Sequence, residues 1–154
     1  MWRSAKTEDS ERIVEMCRNL NIEDPSEDSR SGEMFVRRTL VELSANPVRG
    51  QAVVLEYDGM VCGYALLISY WSNELGGEVC SIDELFVEPS LRGKGFATQL
   101  ITRLQSPQNN LWPARVVAVT VETHRTNTRT RDFYERLGFS LNPNHHMKFV
   151  MSER

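Results

Sequence analysis

Three β-rich segments between Gln51 and Val87 constrain the fold of this 154-residue chain more than any other feature. The first two are joined by Asp58-Gly59, a dipeptide typical of tight hairpin turns. A second short turn over 72–77 leads into the third segment. Because strands joined by short turns pair antiparallel, the sequence predicts a meander of three strands, at 51–57, 60–71 and 78–87.

The meander is followed by a predicted helix and a further strand. Residues 96–104 carry apolar side chains at helical spacing, and 115–121 form a continuously apolar run. Two strands linked by a crossover helix lie parallel, and an uninterrupted apolar run is typical of a strand buried on both faces. The other predicted elements are a first strand, two N-terminal helices, a C-terminal helix and two closing strands, at 2–5, 8–20, 31–45, 127–137, 139–141 and 146–151.

Together these elements predict an α/β chain that forms one layered domain over residues 1–154. Its parallel strand pair lies inside a mixed, mostly antiparallel sheet flanked by helices. Gly63, within the second meander strand, indicates either a bulge or close approach of another backbone. Hydrophobic residues make up 40% and charged residues 25% of the chain, a composition that excludes extensive disorder.

Neither a membrane segment nor an export signal is expected. No apolar run approaches the roughly 20 residues that cross a bilayer, and the first residues lack the apolar stretch of a signal peptide. Cys17, Cys62 and Cys80 form no CxxC pair, and the adjacent His145 and His146 cannot easily share one metal ion. The sequence therefore predicts a cytoplasmic protein without a disulfide framework or a metal site.

Charge is distributed unevenly along the chain. Residues 1–91 carry 8 Lys and Arg against 17 Asp and Glu, whereas residues 92–131 carry 7 against 1. The basic block suits a polyanionic ligand, and the acidic part suits a cationic one. The net acidity and the lack of an aromatic–basic pattern argue against a nucleic-acid partner.

Two glycines lie in the turn between the third meander strand and the next helix. In Arg92-Gly93-Lys94-Gly95, the glycines allow the backbone to approach a phosphate, and the basic side chains add positive charge. The helix start that follows offers unpaired N–H groups and the positive end of the helix dipole. The spacing matches neither the GxxxxGK[ST] loop nor the GxGxxG fingerprint. This turn is therefore a candidate anion site of another type.

Two motifs resemble those of the GNAT superfamily of N-acetyltransferases. Arg92-x-x-Gly95-x-Ala97 has the form R/Q-x-x-G-x-G/A and follows a strand at 82–89, as in that family. About 30 residues later, Asn127-x5-Phe133-Tyr134-x3-Gly138-Phe139 resembles the second motif of the family, with Thr130 where alanine is usual. Element order and Arg3-x-Ala5 extend the resemblance over nearly the whole chain.

The resemblance implies an acetyl-CoA-dependent acyltransferase that needs no metal. In this family the fourth strand and the buried strand after it splay apart, so the parallel pair is expected to be central and splayed. The pantetheine arm is expected beside the end of the meander, and the pyrophosphate on the glycine turn. The implied cofactor-binding residues are Leu85, Phe86, Val87, Arg92, Gly93, Lys94, Gly95, Phe96, Ala97, Thr98 and Asn127. Asn127 is also a candidate N-cap of its helix.

Acetyl transfer to an amine needs a base for the ammonium proton and an acid for the leaving thiolate. The resemblance places Tyr134 at the acid position. Asp83 and Glu84 are the candidate bases, and a chain of water molecules is a third route. Adjacent strand residues point to opposite faces, so alternation predicts that Glu84 shares a face with Ile82 and Phe86.

The predicted function is transfer of an acetyl group from acetyl-CoA to a primary amine of a small cationic molecule, such as a polyamine or an aminoglycoside. The acidic segment that holds Glu23, Asp24, Glu27, Asp28 and Glu33 suits such an acceptor. Two alternatives stay open: acetylation of a protein or peptide amine, and a GNAT module that binds acyl-CoA without turnover. Because the family often dimerises, a homodimer is a further expectation.

Overall fold

The computed structural model describes residues 1–25, 32–111 and 115–151. The chain divides into two compact units, Met1–Glu122 and Thr123–Arg154. The first unit contains β1 (Trp2–Ser4), α1 (Ser10–Glu23), α2 (Glu33–Ala45), β2 (Gly50–Tyr57), β3 (Met60–Ser72), β4 (Gly77–Val87), α3 (Phe96–Gln105) and β5 (Val116–Val121). The second unit contains α4 (Thr128–Arg136).

Local sequence patterns predicted these elements closely. Each predicted helix, and each predicted strand up to residue 121, is present. The largest difference is at α1, which continues to Glu23 because its apolar stripe is followed by residues that also tolerate a helix. The predicted helix start at Ser31 and most of the acidic segment, residues 26–31, lie outside the described residues.

The two closing strands predicted at 139–141 and 146–151 are wrong, because both stretches are described without strand structure. Met147 and Phe149 are almost fully exposed there. An alternating apolar pattern becomes a strand only where a neighbouring strand and a buried face stabilise it. Sequence alternation alone could not supply either condition.

The sheet has the strand order β1-β2-β3-β4-β5, with antiparallel pairing everywhere except between β4 and β5. This arrangement confirms the α/β class and the mixed, mostly antiparallel sheet. In the described residues the sheet ends at β5, so the parallel pair that was expected at the centre lies at an edge. Burial of β5 on both faces was also wrong, because β5 is the edge strand of the described sheet, its side chains are mostly half-buried, and Val117 is 51% exposed.

A β-bulge interrupts the pairing of β3 with β4. Leu66 pairs with Glu84 and Leu67 with Ile82, so Asp83 is an extra residue on β4. Directly paired residues point to the same face of a sheet. The bulge therefore places Glu84 on the opposite face from Ile82, which corrects the prediction from simple alternation.

The core lies on both faces of the sheet. One face packs against α1 and α2 in a cluster that contains Ile13, Val14, Met16, Cys17, Val36, Leu43, Ala52, Val54, Tyr64, Leu66 and Phe86. α3 adds Leu100, Ile101 and Leu104, each almost fully buried. At Gly63 a Cβ atom would lie 2.8 Å from the carbonyl oxygen of Phe86, which confirms the close backbone approach. None of the described helices has the length and apolar character needed to cross a membrane.

Candidate active site

The outer edge of β4 changes character halfway along the strand. Pairing with β5 runs from Glu78 to Ile82, which lies opposite Val121. Beyond this point residues 84–87 of β4 pair with β3 while Asp83 is the unpaired bulge residue, and no described strand pairs with the other edge of residues 83–87. The expected residues Leu85, Phe86 and Val87 all lie on this stretch. An unpaired strand edge presents N–H and C=O groups that can pair with an extended ligand.

The two candidate bases lie at the start of this unpaired stretch, in different surroundings. Asp83 is the bulge residue and its side chain is exposed, whereas Glu84 is half-buried. Partial desolvation and the nearby negative charge of Glu122 raise the pKa of the Asp83 carboxyl. Burial is also the largest cause that raises the pKa of Glu84, and the charge of Asp83 adds to it. Both carboxyls therefore hold a proton more readily than a free carboxyl does.

Glu84 is held by a second buried polar side chain. The hydroxyl of Tyr64 donates a hydrogen bond of 2.7 Å to Oε2 of Glu84. Tyr64 lies on β3, is completely buried, and its ring is 6.2 Å from that of Phe86. The Cys17 thiol on α1 is a further polar neighbour that acts on the Glu84 carboxyl. The hydrogen bond from Tyr64 and the proximity of the Cys17 thiol favour the ionised carboxylate and partly offset the effect of burial.

The sequence contained no signal for Tyr64 or Cys17 as site residues. Each lies on an apolar face of its element, where a tyrosine or a cysteine is an ordinary core residue. Their proximity to Glu84 depends on packing between α1, β3 and β4. It also depends on the bulge at Asp83, which determines the face to which Glu84 points.

The glycine turn between β4 and α3 forms an open loop of backbone amides. Gly93 and Gly95 have φ values of 77° and 84°, a left-handed conformation that favours glycine. A Cβ atom at either position would meet nothing within 4 Å, so the space above the loop is open. Among the described residues, no group accepts a hydrogen bond from the N–H groups of residues 93–98. The loop can therefore bind an anion through its main chain.

Arg92 is directed away from this loop. Its Nε donates to the carbonyl oxygen of Val87 at 2.8 Å, and its Nη2 lies 2.8 and 2.9 Å from the two carboxylate oxygens of Glu23. The guanidinium also lies 5.3 Å from the centre of the Phe86 ring. The side-chain charge of Arg92 is thus matched by Glu23, whereas Lys94 forms no ion pair with a described carboxylate.

β1 anchors the helix start that follows the loop. Nε1 of the buried Trp2 donates to the carbonyl oxygen of Phe96 at 2.8 Å. The Phe96 ring packs edge-on against Tyr57 at 5.4 Å, and Nζ of Lys94 lies 5.9 Å from the centre of the Tyr57 ring. These contacts fix the first turn of α3, which contains Ala97 and Thr98, and with it the direction of its free amides.

Asn127 and Tyr134 belong to the second unit. Oδ1 of Asn127 accepts a hydrogen bond of 3.1 Å from the backbone N–H of Thr130, so Asn127 is the N-cap of α4. Tyr134 is buried, and its ring makes edge contacts with Phe133 and Phe139 at 5.1 and 5.3 Å. Burial raises the pKa of Tyr134 to about 12, so its hydroxyl is protonated at neutral pH.

No group of three His, Cys, Asp or Glu side chains within the described ranges could hold a metal ion. The three cysteines are free and buried, and burial raises the pKa of the Cys80 thiol to about 12.

Comparison with known proteins points to one family. The model of the acetyltransferase (GNAT) family matches residues 14–139. Among solved structures, a possible acetyltransferase from Clostridium difficile 630 has 18% identity and a TM-score of 0.81, with 99% of this chain and 98% of that chain covered. No curated protein matches the chain significantly.

Two further solved structures have the same fold. A predicted acetyltransferase with acetyl-CoA from Clostridium acetobutylicum has 17% identity and a TM-score of 0.75, with 97% of this chain and 95% of that chain covered. Glucosamine-6-phosphate N-acetyltransferase from Arabidopsis thaliana has 15% identity and a TM-score of 0.70, with 98% of each chain covered. At these identities the likeness concerns the fold alone.

Proposed function

Because the chain belongs to the acetyltransferase (GNAT) family, we propose that it transfers the acetyl group of acetyl-CoA to a primary amine of a small cationic molecule. The proposal treats residues 1–154 as one acetyltransferase domain, to which both motifs contribute. The free, buried cysteines support a reducing, cytoplasmic location.

One observation carries the proposal: the unpaired edge of β4 leads directly into the open amide loop. Residues 83–87 end at Val87, and the free N–H groups begin six residues later at Gly93. The pantetheine arm contains amide groups that can pair with a strand edge, and its pyrophosphate suits a helix N-terminus with free N–H groups. The absence of side chains above Gly93 and Gly95 leaves room for a phosphate to contact the backbone. The residues present therefore fit acetyl-CoA, which supplies an activated acyl group.

Glu84 is the proposed base. An alkyl ammonium has a pKa near 10.4, so its deprotonation at pH 7 costs roughly 4–5 kcal/mol. A carboxylate with a raised pKa, held at the end of the paired part of β4, can accept that proton directly or through a water molecule. The charges of Asp83 and Glu122, which interact with one another, favour a cationic acceptor over a neutral or anionic one.

Tyr134 is the proposed acid. A phenol with a pKa of about 12 is protonated at neutral pH, so it can hydrogen-bond to the sulfur atom and donate its proton as negative charge develops on the leaving thiolate. The resulting phenolate takes up a proton from solvent before the next turnover. Backbone N–H groups on the unpaired edge of β4 are the proposed donors that polarise the thioester carbonyl.

The test is release of the coenzyme A thiol in the presence of defined amines. One panel contains polyamines, aminoglycosides and amino acids, and a second contains peptides with free α-amines or lysines. We expect amine-dependent release with a cationic member of the first panel. Release only with peptides would replace the proposed acceptor by a protein amine. Tight acetyl-CoA binding without release in either panel would contradict turnover altogether.

A further inference from the structure

A cluster of polar side chains, part buried and part half-buried, lies beside the apolar core between the sheet and α1. Its members are Tyr64 on β3, Glu84 on β4 and Cys17 on α1, with Asn21 one helical turn further on. The Tyr64 hydroxyl donates to Glu84 at 2.7 Å, and Nδ2 of Asn21 lies 3.7 Å from Sγ of Cys17. The surrounding side chains, such as Phe86 and Leu66, are apolar and buried.

Stability of the fold does not explain this arrangement. A carboxylate that is partly removed from water loses solvation free energy, and a phenylalanine in place of Tyr64 would fill the same space without a polar atom. A buried hydroxyl must also find a hydrogen-bond partner, and the partner of Tyr64 is the carboxyl group proposed as the base. The cluster thus links the proposed base to a rigid part of the core.

We propose that Tyr64 is a positioning residue for acetyl transfer. Its hydroxyl holds the ionised Glu84 carboxylate on the α1 face of β4 and leaves lone pairs of that carboxylate for the proton of the acceptor amine. The proposal rests on the role of Glu84 as base under the proposed function. A carboxylate has about four acceptor positions, so donation by Tyr64 leaves most of them available.

The hydrogen bond also determines how easily Glu84 ionises. Burial and the charge of Asp83 raise the pKa of Glu84, while the hydrogen bond from Tyr64 and the Cys17 thiol lower it. Burial likewise raises the pKa of Tyr64, so its hydroxyl stays a donor throughout the working pH range. Among the described residues, the ionisable groups that act on Glu84 are Tyr64 on β3, Cys17 on α1 and Asp83 on β4. Removal of the Tyr64 hydroxyl must therefore raise the pKa of Glu84.

The first experiment uses Tyr64→Phe and needs no acceptor. The side-chain carboxyl carbons of glutamate are labelled with ¹³C, and the Glu84 signal, assigned through its loss in Glu84→Gln, is titrated in the free protein. Because a hydrogen bond from Tyr64 favours the ionised carboxylate, we expect the pKa of Glu84 to rise by about one unit or more when the hydroxyl is removed. An unchanged pKa would overturn the proposal.

The second measurement is the pH profile of kcat/KM with the acceptor found in the panel. We expect the acidic limb of Tyr64→Phe to move to higher pH by the same amount, with the plateau reduced about threefold or less. A lower plateau with an unmoved limb would mean that Tyr64 only packs the core. Tyr70→Phe is the matched control, because it removes the same atom from an exposed tyrosine of the same strand; it should leave both measurements unchanged.

A wild-type measurement covers the case in which Tyr64→Phe does not fold. The Cζ signal of Tyr64 should shift at the pH where Glu84 titrates, and separate titration would overturn the proposal. Failure of the proposed function has a different signature, since the wild-type protein would then release no thiol with either amine panel. A Glu84→Gln variant that retains acetyl transfer would reject Glu84 as the base, and the positioning role of Tyr64 with it. An inactive Glu84→Gln beside an unshifted Tyr64→Phe would reject the positioning role alone.

Discussion

The two halves of β4 are continuous in sequence but differ in their neighbours. Residues 77–82 lie between β3 and β5, and their side chains are mostly apolar and buried. Residues 83–87 begin with two carboxylates, and of them residues 84–87 pair with β3 alone. The first half binds the sheet together, whereas the second half presents a backbone edge and charged groups.

The bulge at Asp83 separates these halves and explains why both can exist in one strand. It breaks the alternation, so that Ile82 stays in the core while Glu84 turns to the α1 face beside Tyr64. Without the extra residue, Glu84 would share a face with Ile82. One backbone irregularity thus converts a structural strand into a candidate catalytic one.

Glu84→Gln should have the largest effect and is the sharpest test of the second half. Loss of a general base typically lowers rates by about 10²–10⁴-fold, and we expect kcat/KM for acetyl transfer to fall within that range. Asp83→Asn, the matched control at the neighbouring position, should reduce it by less than about tenfold. Steady-state thiol release measures both, and the reverse ranking would assign the base to Asp83.

Glu84→Gln should also change the pH dependence of stability. The pKa of Glu84 is raised on folding, so the folded state binds a proton more tightly than the unfolded state. Stability contributed by this group is present below the unfolded pKa of 4.5 and is lost as pH rises through the raised folded pKa. Urea unfolding at several pH values should show this loss in the wild type and a smaller one in Glu84→Gln.

Ile82→Ala tests the first half, where the effect should be on stability. Ile82 is 3% exposed, and truncation of a buried isoleucine lowers the free energy of unfolding by about 2–5 kcal/mol. The residual folded protein should keep its affinity for acetyl-CoA within about threefold. Chemical denaturation and a binding titration measure the two quantities. A large loss of affinity for acetyl-CoA with an unchanged free energy of unfolding would contradict the proposed division of β4 into a structural half and a ligand-binding half.

Tyr134→Phe tests whether the leaving thiolate receives its proton from a residue outside β4. We expect kcat to fall by about 10–100-fold while the KM for acetyl-CoA changes by less than about twofold, because the substitution removes only the proposed donor. Removal of the hydroxyl of Tyr70 in Tyr70→Phe should change neither kcat nor KM. An unchanged kcat would exclude Tyr134 as the acid.

Gly95→Glu has the smallest expected effect and tests the loop that follows β4. A carboxylate above the free amides should weaken acetyl-CoA binding by about tenfold. Gly76→Glu is the matched control, since Gly76 also has a positive φ and open space around it but lies in the turn before β4. In both variants a side chain at a positive φ destabilises the folded state by about 1–2 kcal/mol. Calorimetry that finds equal affinities would place the pyrophosphate elsewhere.

Several parts of the site could be predicted from local sequence. The glycine turn, the N-cap at Asn127 and the end of α4 before Gly138 all depend on residues a few positions apart. The pairing of Arg92 with Glu23 could not be predicted, because these residues are far apart in the chain and meet only when α1 packs beside β4. The closing strands failed for the same reason, since a strand needs a partner.

The sequence by itself determined the order of helices and strands, the hairpin at Asp58-Gly59 and the family, because these are written in short-range periodicity, turn residues and motifs. Tertiary structure alone decided which carboxylate enters the core face, through the bulge at Asp83 and the hydroxyl of Tyr64. The physical reason is that register and burial depend on contacts between distant segments, whose free energies no local pattern encodes.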